Sequence, residues 1–189
     1  MNEYLLLKKH WLKLAVCGLS FLLLFLILLC NSVSGGSPES MAYVYLTIPF
    51  NDDVKYTITS EFGEREDPIE KDKIIFHDGL DMAAPVGTSI VASGKGKVVQ
   101  VGFEENGLGN YIYLEHDLGF VKLYTIYGHM LDDSIVVNVG DIVQTKDKLG
   151  VIGDSGKSVG VHLHFMISVN KASYKKEDLL DPMLLINGL

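Results

Sequence analysis

Two unlike kinds of hydrophobic patterning divide the chain. From Leu14 to Cys30, 17 residues run without a charge, and only Gly18 and Ser20 interrupt the apolar series. From Tyr43 onward the apolar residues come in short clusters rich in Val, Ile, Tyr and Thr, the composition of strands. The clusters predict strands at Tyr56–Thr59, Ser89–Ala92, Lys97–Val101, Tyr111–Glu115, Val121–Ile126, Ile135–Val137, Leu149–Ile152 and His162–Val169. Turn signals lie between them: Gly94-Lys95-Gly96, Asn106-Gly107, Asp117-Leu118-Gly119, Gly140-Asp141 and Asp154-Ser155-Gly156. Turns at this density predict a mainly β domain with antiparallel pairing, a sandwich or barrel. Only Lys176–Leu185 has the character of a short helix, and Pro182 interrupts it.

The apolar run has its own meaning. As a helix it would be about 26 Å long at ~1.5 Å per residue, close to the ~30 Å of a bilayer core. Lys8, Lys9 and Lys13 precede it, which holds the N-terminus in the cytoplasm and sends the later residues outward. The expected organisation is a basic cytoplasmic N-terminus over 1–13, one transmembrane signal anchor over 14–30, a Ser/Gly/Pro linker over 31–42, and a domain over 43–189. Two other readings share that outcome. One is a cleaved signal peptide, with Ser32 and Ser34 spaced for cleavage before Gly35, giving a secreted protein. The other is lipidation at Cys30, although Leu29 is bulky for that signal.

Composition sharpens this picture. Of 189 residues, 48% are hydrophobic, and the net charge is −8. The first 40 residues carry three lysines against Glu3 and Glu39, so the body is more acidic than the whole. An acidic body without a basic stripe excludes nucleic acid as the main partner. The two cysteines, Cys17 and Cys30, both lie in the apolar run. The body therefore has no disulfide framework and no thiolate for a metal.

Five of the six histidines lie in the body: His77, His116, His129, His162 and His164. In Val161-His162-Leu163-His164-Phe165, alternation puts both imidazoles on one strand face and Leu163 and Phe165 on the other. In Phe76-His77-Asp78-Gly79-Leu80-Asp81, Gly79 and the later Pro85 argue against a helix, so a bend must join His77 to Asp81. His129 closes the apolar stretch before Met130. Each motif alone reads more readily as a polar strand face, an acidic turn or a satisfied strand-end histidine than as chemistry. Together they hold two imidazoles and a carboxylate, a common protein set for catalytic zinc, with histidines left over for proton transfer. No His-Glu-x-x-His helix and no Gly-x-Ser-x-Gly elbow is present.

From about Thr57 to Leu185 the chain resembles the M23 peptidases, the lysostaphin-type or LytM-type peptidoglycan endopeptidases. The motifs that carry the resemblance occur in order. They are Thr59-Ser60-Glu61-Phe62-Gly63-Glu64-Arg65, His77-x-Gly79-x-Asp81-x-Ala83-Ala84-Pro85-x-Gly87-Thr88, Gly94-x-Gly96-x-Val98, Tyr127-Gly128-His129-Met130, Gly153-x-Ser155-Gly156, Ser158-x-Gly160-x-His162-Leu163-His164-Phe165 and Asp181-Pro182. The resemblance implies an antiparallel β domain whose groove holds one zinc ion (Zn2+) per chain. It implies His77, Asp81 and His164 as ligands, and His129 and His162 as catalytic histidines. It implies hydrolysis of peptide cross-links in bacterial peptidoglycan, glycine bridges or direct D-amino-acid links according to the groove loops. Localisation follows as the bacterial cell membrane, single-pass, with the domain on the extracytoplasmic side. The alternative within the family is a non-catalytic regulator that binds or activates another wall hydrolase.

Several positions have separate expectations. His116 matches a family histidine that is not a ligand and is expected to be structural. Arg65 is expected either to orient a groove loop or to form an ion pair. Met166 stands where the family usually has Glu, and its side chain is expected off the zinc face. Val159 and Met130 replace the usual Thr and Leu. The loop around Glu66–Ile74 is expected to form one groove wall, and residues 41–55 could lie over the groove.

Overall fold

A computed structural model describes residues 46–67, 70, 72–119, 121–169 and 175–186. They belong to a compact unit spanning Tyr43–Leu189. The predicted anchor, Leu14–Cys30, lies outside the described residues. Among those described, no helix is long and apolar enough to cross a membrane.

The strands are β1 (Thr57–Ser60), β2 (Gly63–Glu66), β3 (Ile74–His77), β4 (Leu80–Ala83), β5 (Ser89–Val91), β6 (Gly96–Glu104), β7 (Gly109–Asp117), β8 (Lys122–Met130), β9 (Ile142–Val143), β10 (Lys148–Val151), β11 (Leu163–Ser168) and β12 (Leu179–Leu180). The main sheet runs in the order β1-β4-β11-β8-β7-β6-β9, with β12 on β11. Two smaller pairs, β2–β3 and β5–β10, stand apart from it. All the strand pairings are antiparallel, as the turn-rich pattern predicts.

Alternation gives the sheet two differently used faces. From β11, Leu163, Phe165 and Ile167 enter the larger core, with Leu80 and Met82 of β4 and Ile112 and Leu114 of β7. Leu46 and Phe50 close that core, and Tyr127 stacks edge-on against Phe165 with ring centroids 5.3 Å apart. The other face carries a smaller cluster of Leu108, Tyr111, Tyr113, Ile126, Met166 and Leu179, with Phe62 and Phe76 packed on it. Phe62 and Phe76 meet edge-to-face at 5.1 Å and seat the β2–β3 pair beside the sheet. The groove opens on this second face.

Several expectations are revised. Ile135–Val137 is not a strand. Val136 N–H reaches Leu149 C=O, but the Ser134 hydroxyl takes the neighbouring Val151 N–H and so ends the ladder. The strand in this part of the chain is Ile142–Val143, which pairs with Gly96 and Lys97 of β6. Strands β2, β3 and β4 are additional; each is four residues long, and two of them carry charged side chains. Lys176–Leu185 is not one helix. Two 3-10 turns, Lys176–Asp178 and Pro182–Leu184, flank β12, and Asp181 caps the second by accepting Met183 N–H at 2.9 Å.

Of residues 41–55, 41–45 lie outside the described residues, and none of 46–55 lines the groove. Thr47 N–H donates to Ser93 C=O, Val91 N–H donates to Pro49 C=O, and the Lys146 ammonium donates to the Ile48 and Phe50 carbonyls. His116 is buried away from the groove. Its Nδ1–H donates to Lys95 C=O at 2.8 Å, and Nε2 lies 2.8 Å from Thr125 Oγ1. Burial lowers its pKa and keeps it neutral, which fits a structural residue.

Phe165 lies under the site on the core face. Phe165→Ala should destabilise the domain by about 3–5 kcal/mol in urea unfolding. A loss under about 1 kcal/mol would contradict the placement of Phe165 in the packed core.

Candidate metal centre

Register builds the centre. His164 of β11 is paired with Asp81 of β4 on one side and with Gly128 of β8 on the other. Directly opposed residues project to the same face, so the Asp81 carboxylate and the His164 imidazole meet. His77 ends β3, and the Asp78–Gly79 link turns the chain into β4, which brings His77 to the same point. The bend expected from Gly79 is thus a strand-to-strand link. A Cβ at Gly79 would lie 2.7 Å from His164 Cε1 and 2.7 Å from Phe165 C=O, so only glycine permits this approach.

The three side chains are buried, and their donor atoms lie within 4.8 Å of one another. His77 Nε2 is 3.3 Å from His164 Nδ1 and 3.2 Å from Asp81 Oδ1. His164 Nδ1 is 2.8 Å from Asp81 Oδ1. Tetrahedral zinc with bonds of ~2.0–2.1 Å separates its donors by about 3.3 Å. Two of the three separations already match, and the third is a hydrogen bond that a metal would replace. Nitrogen and oxygen donors of this set, with no thiolate in the body, suit zinc.

The supports of these groups are largely backbone. His77 Nδ1–H donates to Glu61 C=O at 2.8 Å, which leaves Nε2 as the nitrogen facing Asp81 and His164. Arg65 fits both of its expected roles. Its Nη1 donates to Ser60 Oγ at 2.6 Å and stands 3.9 Å from Asp81 Oδ2. Ser60 Oγ in turn lies 3.2 Å from His77 Nδ1. The guanidinium therefore braces the loop behind His77 and faces the outer oxygen of Asp81.

Electrostatics follows from this packing. Burial would raise the Asp81 pKa, but hydrogen bonds from His164 and His77 outweigh it and hold the carboxyl far below the usual range. Burial would lower His164, yet bonds to Asp78 and Asp81 outweigh it and push its pKa up to about 9. His129 moves the other way. Burial carries it down to about 4, with a smaller opposing effect from its bond to Ser155 C=O.

The two remaining histidines stand beside the triad. The His129 and His162 rings are 4.7 Å apart, and the His129 ring is 5.8 Å from that of His164. His129 Nδ1–H donates to Ser155 C=O at 2.8 Å, and His162 Nδ1–H donates to Gly160 C=O at 2.7 Å. His162 Nε2 lies 3.6 Å from Asp81 Oδ1, so it points at the centre. His129 has φ 58°, a left-handed conformation uncommon for a residue with a Cβ. Its N–H is held by Leu108 C=O at 2.6 Å. Strain of this kind persists where the surroundings fix it and is common at functional sites.

All five expected residues therefore line one open groove. Its lining also includes Arg65, Asp67, Phe76, Glu104, Leu108 and Lys157–Val161. Part of the expected Glu66–Ile74 wall lies outside the described residues; Asp67 does line the groove. Met166 requires a correction. Residues two apart in a strand share a face, so Met166 lies on the same face as His164. It is buried there in the smaller apolar cluster, one pleat beyond the centre. Val159 is exposed on the groove wall, and Met130 is core. Sequence reasoning missed Asp78 and the carbonyls of Glu61, Ser155 and Gly160. Asp78 had one weak signal, its place between two ligand candidates; carbonyl orientation has none.

The family model described as Peptidase family M23 matches residues 75–176. An uncharacterized metalloprotease of Buchnera aphidicola is 36% identical over 141 residues, covering 74% of this chain and 35% of that protein. The peptidoglycan DD-endopeptidase ShyB of Vibrio cholerae is 31% identical over 132 residues, covering 70% of this chain and 27% of that protein. The chain thus spans about a third of the length of these curated relatives. Among solved structures, a zinc-containing peptidase from Vibrio cholerae superposes with a TM-score of 0.60 at 30% identity, over 74% of this chain and 39% of that one. The catalytic domain of lysostaphin from Staphylococcus simulans gives 0.57 at 31% identity, over 69% of this chain and 90% of that domain. The chain belongs to peptidase family M23.

Proposed function

We propose that the chain is a zinc-dependent endopeptidase that hydrolyses peptide cross-links of bacterial peptidoglycan. The observation that carries this is the convergence of three metal donors and two carbonyl-tethered histidines in one open groove. His77 through Nε2, Asp81 through Oδ1 and His164 through Nδ1 would hold one zinc ion. A bound zinc supplies a Lewis acid that acidifies water and polarises a peptide carbonyl.

The protein's own groups do the rest. His129 and His162 each present a carbonyl-held Nδ1–H, which in the neutral ring leaves the Nε2 lone pair free to accept a proton. One takes the proton of the attacking water. The other, as the protonated or hydrogen-bonding partner, meets the developing oxyanion or the leaving amine. Burial of His129 keeps it neutral at physiological pH, as a proton acceptor requires. The groove is open to solvent, which suits a peptide substrate. The peptidoglycan DD-endopeptidases among the relatives support the wall peptide as substrate. The completeness of the five-residue set favours hydrolysis over the regulator reading, in which such a set has no use.

We propose further that Leu14–Cys30 anchors the chain by a single pass and places the domain outside the cytoplasm. The uncharged run and its basic flank support the single pass, and the uncharacterized lipoprotein YgeR of Escherichia coli among the relatives supports only the placement outside the cytoplasm.

Three measurements test these readings. Digestion of purified peptidoglycans of different cross-link chemistry, followed by mass spectrometry, should yield new termini at cross-link peptide bonds with zinc present; intact cross-links in every wall would contradict the proposal. His129→Asn tolerates the left-handed backbone, so it and His162→Ala should keep zinc while turnover falls by about 10²–10⁴-fold. Turnover near wild type in either would remove that histidine from the mechanism. In NMR titration of the metal-free protein, the His129 ring should stay neutral down to about pH 5 and protonate near pH 4. A midpoint near 6.5 would contradict its burial.

A further inference from the structure

The four imidazoles of the groove are not held alike. His77, His129 and His162 each donate Nδ1–H to a backbone carbonyl, of Glu61, Ser155 and Gly160. No substitution of those three residues removes the acceptor. His164 is different: its outward nitrogen, Nε2, lies 3.2 Å from the Oδ1 of Asp78. The chain places that carboxylate firmly. Asp78 sits between His77 and Gly79, and the Gly79 Cα packs so closely on the His164 ring that a Cβ there would lie 2.8 Å from Nε2. The ring is buried, with 7% of its side chain exposed, whereas the Asp78 side chain is 38% exposed on the groove.

We propose that Asp78 is a positioning residue for the metal. It accepts Nε2–H of His164, fixes the tautomer and ring plane, and so presents the Nδ1 lone pair to the point that His77 and Asp81 also face. A charged acceptor strengthens the imidazole as a donor more than a neutral carbonyl does, and it adds a negative charge beside the cation. The inference rests on the metal-centre reading above. It goes beyond that reading in making zinc retention depend on a side chain that binds neither metal nor substrate.

The test uses the full-length protein and zinc alone, with affinity read by competition against a chromophoric chelator. Asp78→Ala removes the acceptor, and Asp78→Asn keeps an oxygen of the same reach while removing the charge. Asp67→Asn serves as the control: it removes the charge of a groove-lining carboxylate outside the set of three proposed donors. Wild type should bind one zinc. Asp78→Ala should bind it about 10–100-fold more weakly, with Asp78→Asn between the two. Asp67→Asn should stay within about threefold of wild type, because Asp67 is neither one of the three donors nor the acceptor beside His164 Nε2. The visible spectrum of the cobalt-loaded protein should change in Asp78→Ala and not in Asp67→Asn, a signature of altered ligand geometry that general loss of stability does not give. Equal zinc affinity in wild type and both Asp78 variants would overturn the inference while leaving the metal centre intact. An equal loss in Asp67→Asn would overturn it too, because net charge alone would then explain the effect. Absence of zinc binding by the wild type would overturn the metal-centre reading itself, and the inference with it.

Discussion

The pairing of Asp81 with His164 across β4 and β11 is the constraint on which the rest depends. It is a register before it is a site. A slip of one residue would turn both side chains into the core and bring Leu80, Met82, Leu163 and Phe165 out to water. The hydrophobic residues that hold the register are thus the neighbours of those that perform the chemistry. The larger core stabilises one face of the sheet and thereby fixes the geometry of the other.

Around that pair the protein uses rigid parts for alignment. Backbone carbonyls fix three of the four imidazoles, and a carboxylate fixes the fourth. Arg65 ties the loop of Ser60 to the outer side of Asp81. The left-handed backbone of His129 is held by Leu108 through its N–H, so its ring is aimed by the main chain and by Ser155 together. Little freedom remains in these groups, and a site preorganised in this way loses little entropy when metal and substrate arrive.

Much of this was legible in the sequence, for physical reasons. The alternation of His162-Leu163-His164-Phe165 is a period-two signal, and it correctly separated site face from core face. The same rule, applied to Met166, should have placed it with His164; its buried position in the smaller cluster shows why a methionine is accommodated there. Strands such as Gly63–Glu66 were hidden because a four-residue, half-exposed pair has too few apolar positions to show a period. Ile135–Val137 looked like a strand, but the Ser134 hydroxyl competes for the ladder, a contact set by tertiary approach. The role of Asp78 depends on a packing distance to a residue far along the chain, and no spacing rule encodes it. The anchor rests on sequence patterning.

Everything proposed for the groove turns on whether His77, Asp81 and His164 hold one zinc ion through nitrogen and oxygen donors. X-ray absorption at the zinc edge, on protein loaded with one equivalent, tests it most directly. The expected result is a first shell of N/O scatterers at ~2.0–2.1 Å with the outer-shell pattern of two imidazoles and no sulfur. Losing one imidazole in His164→Ala should weaken that pattern. A shell without imidazole scattering, or one unchanged in His164→Ala, would contradict it.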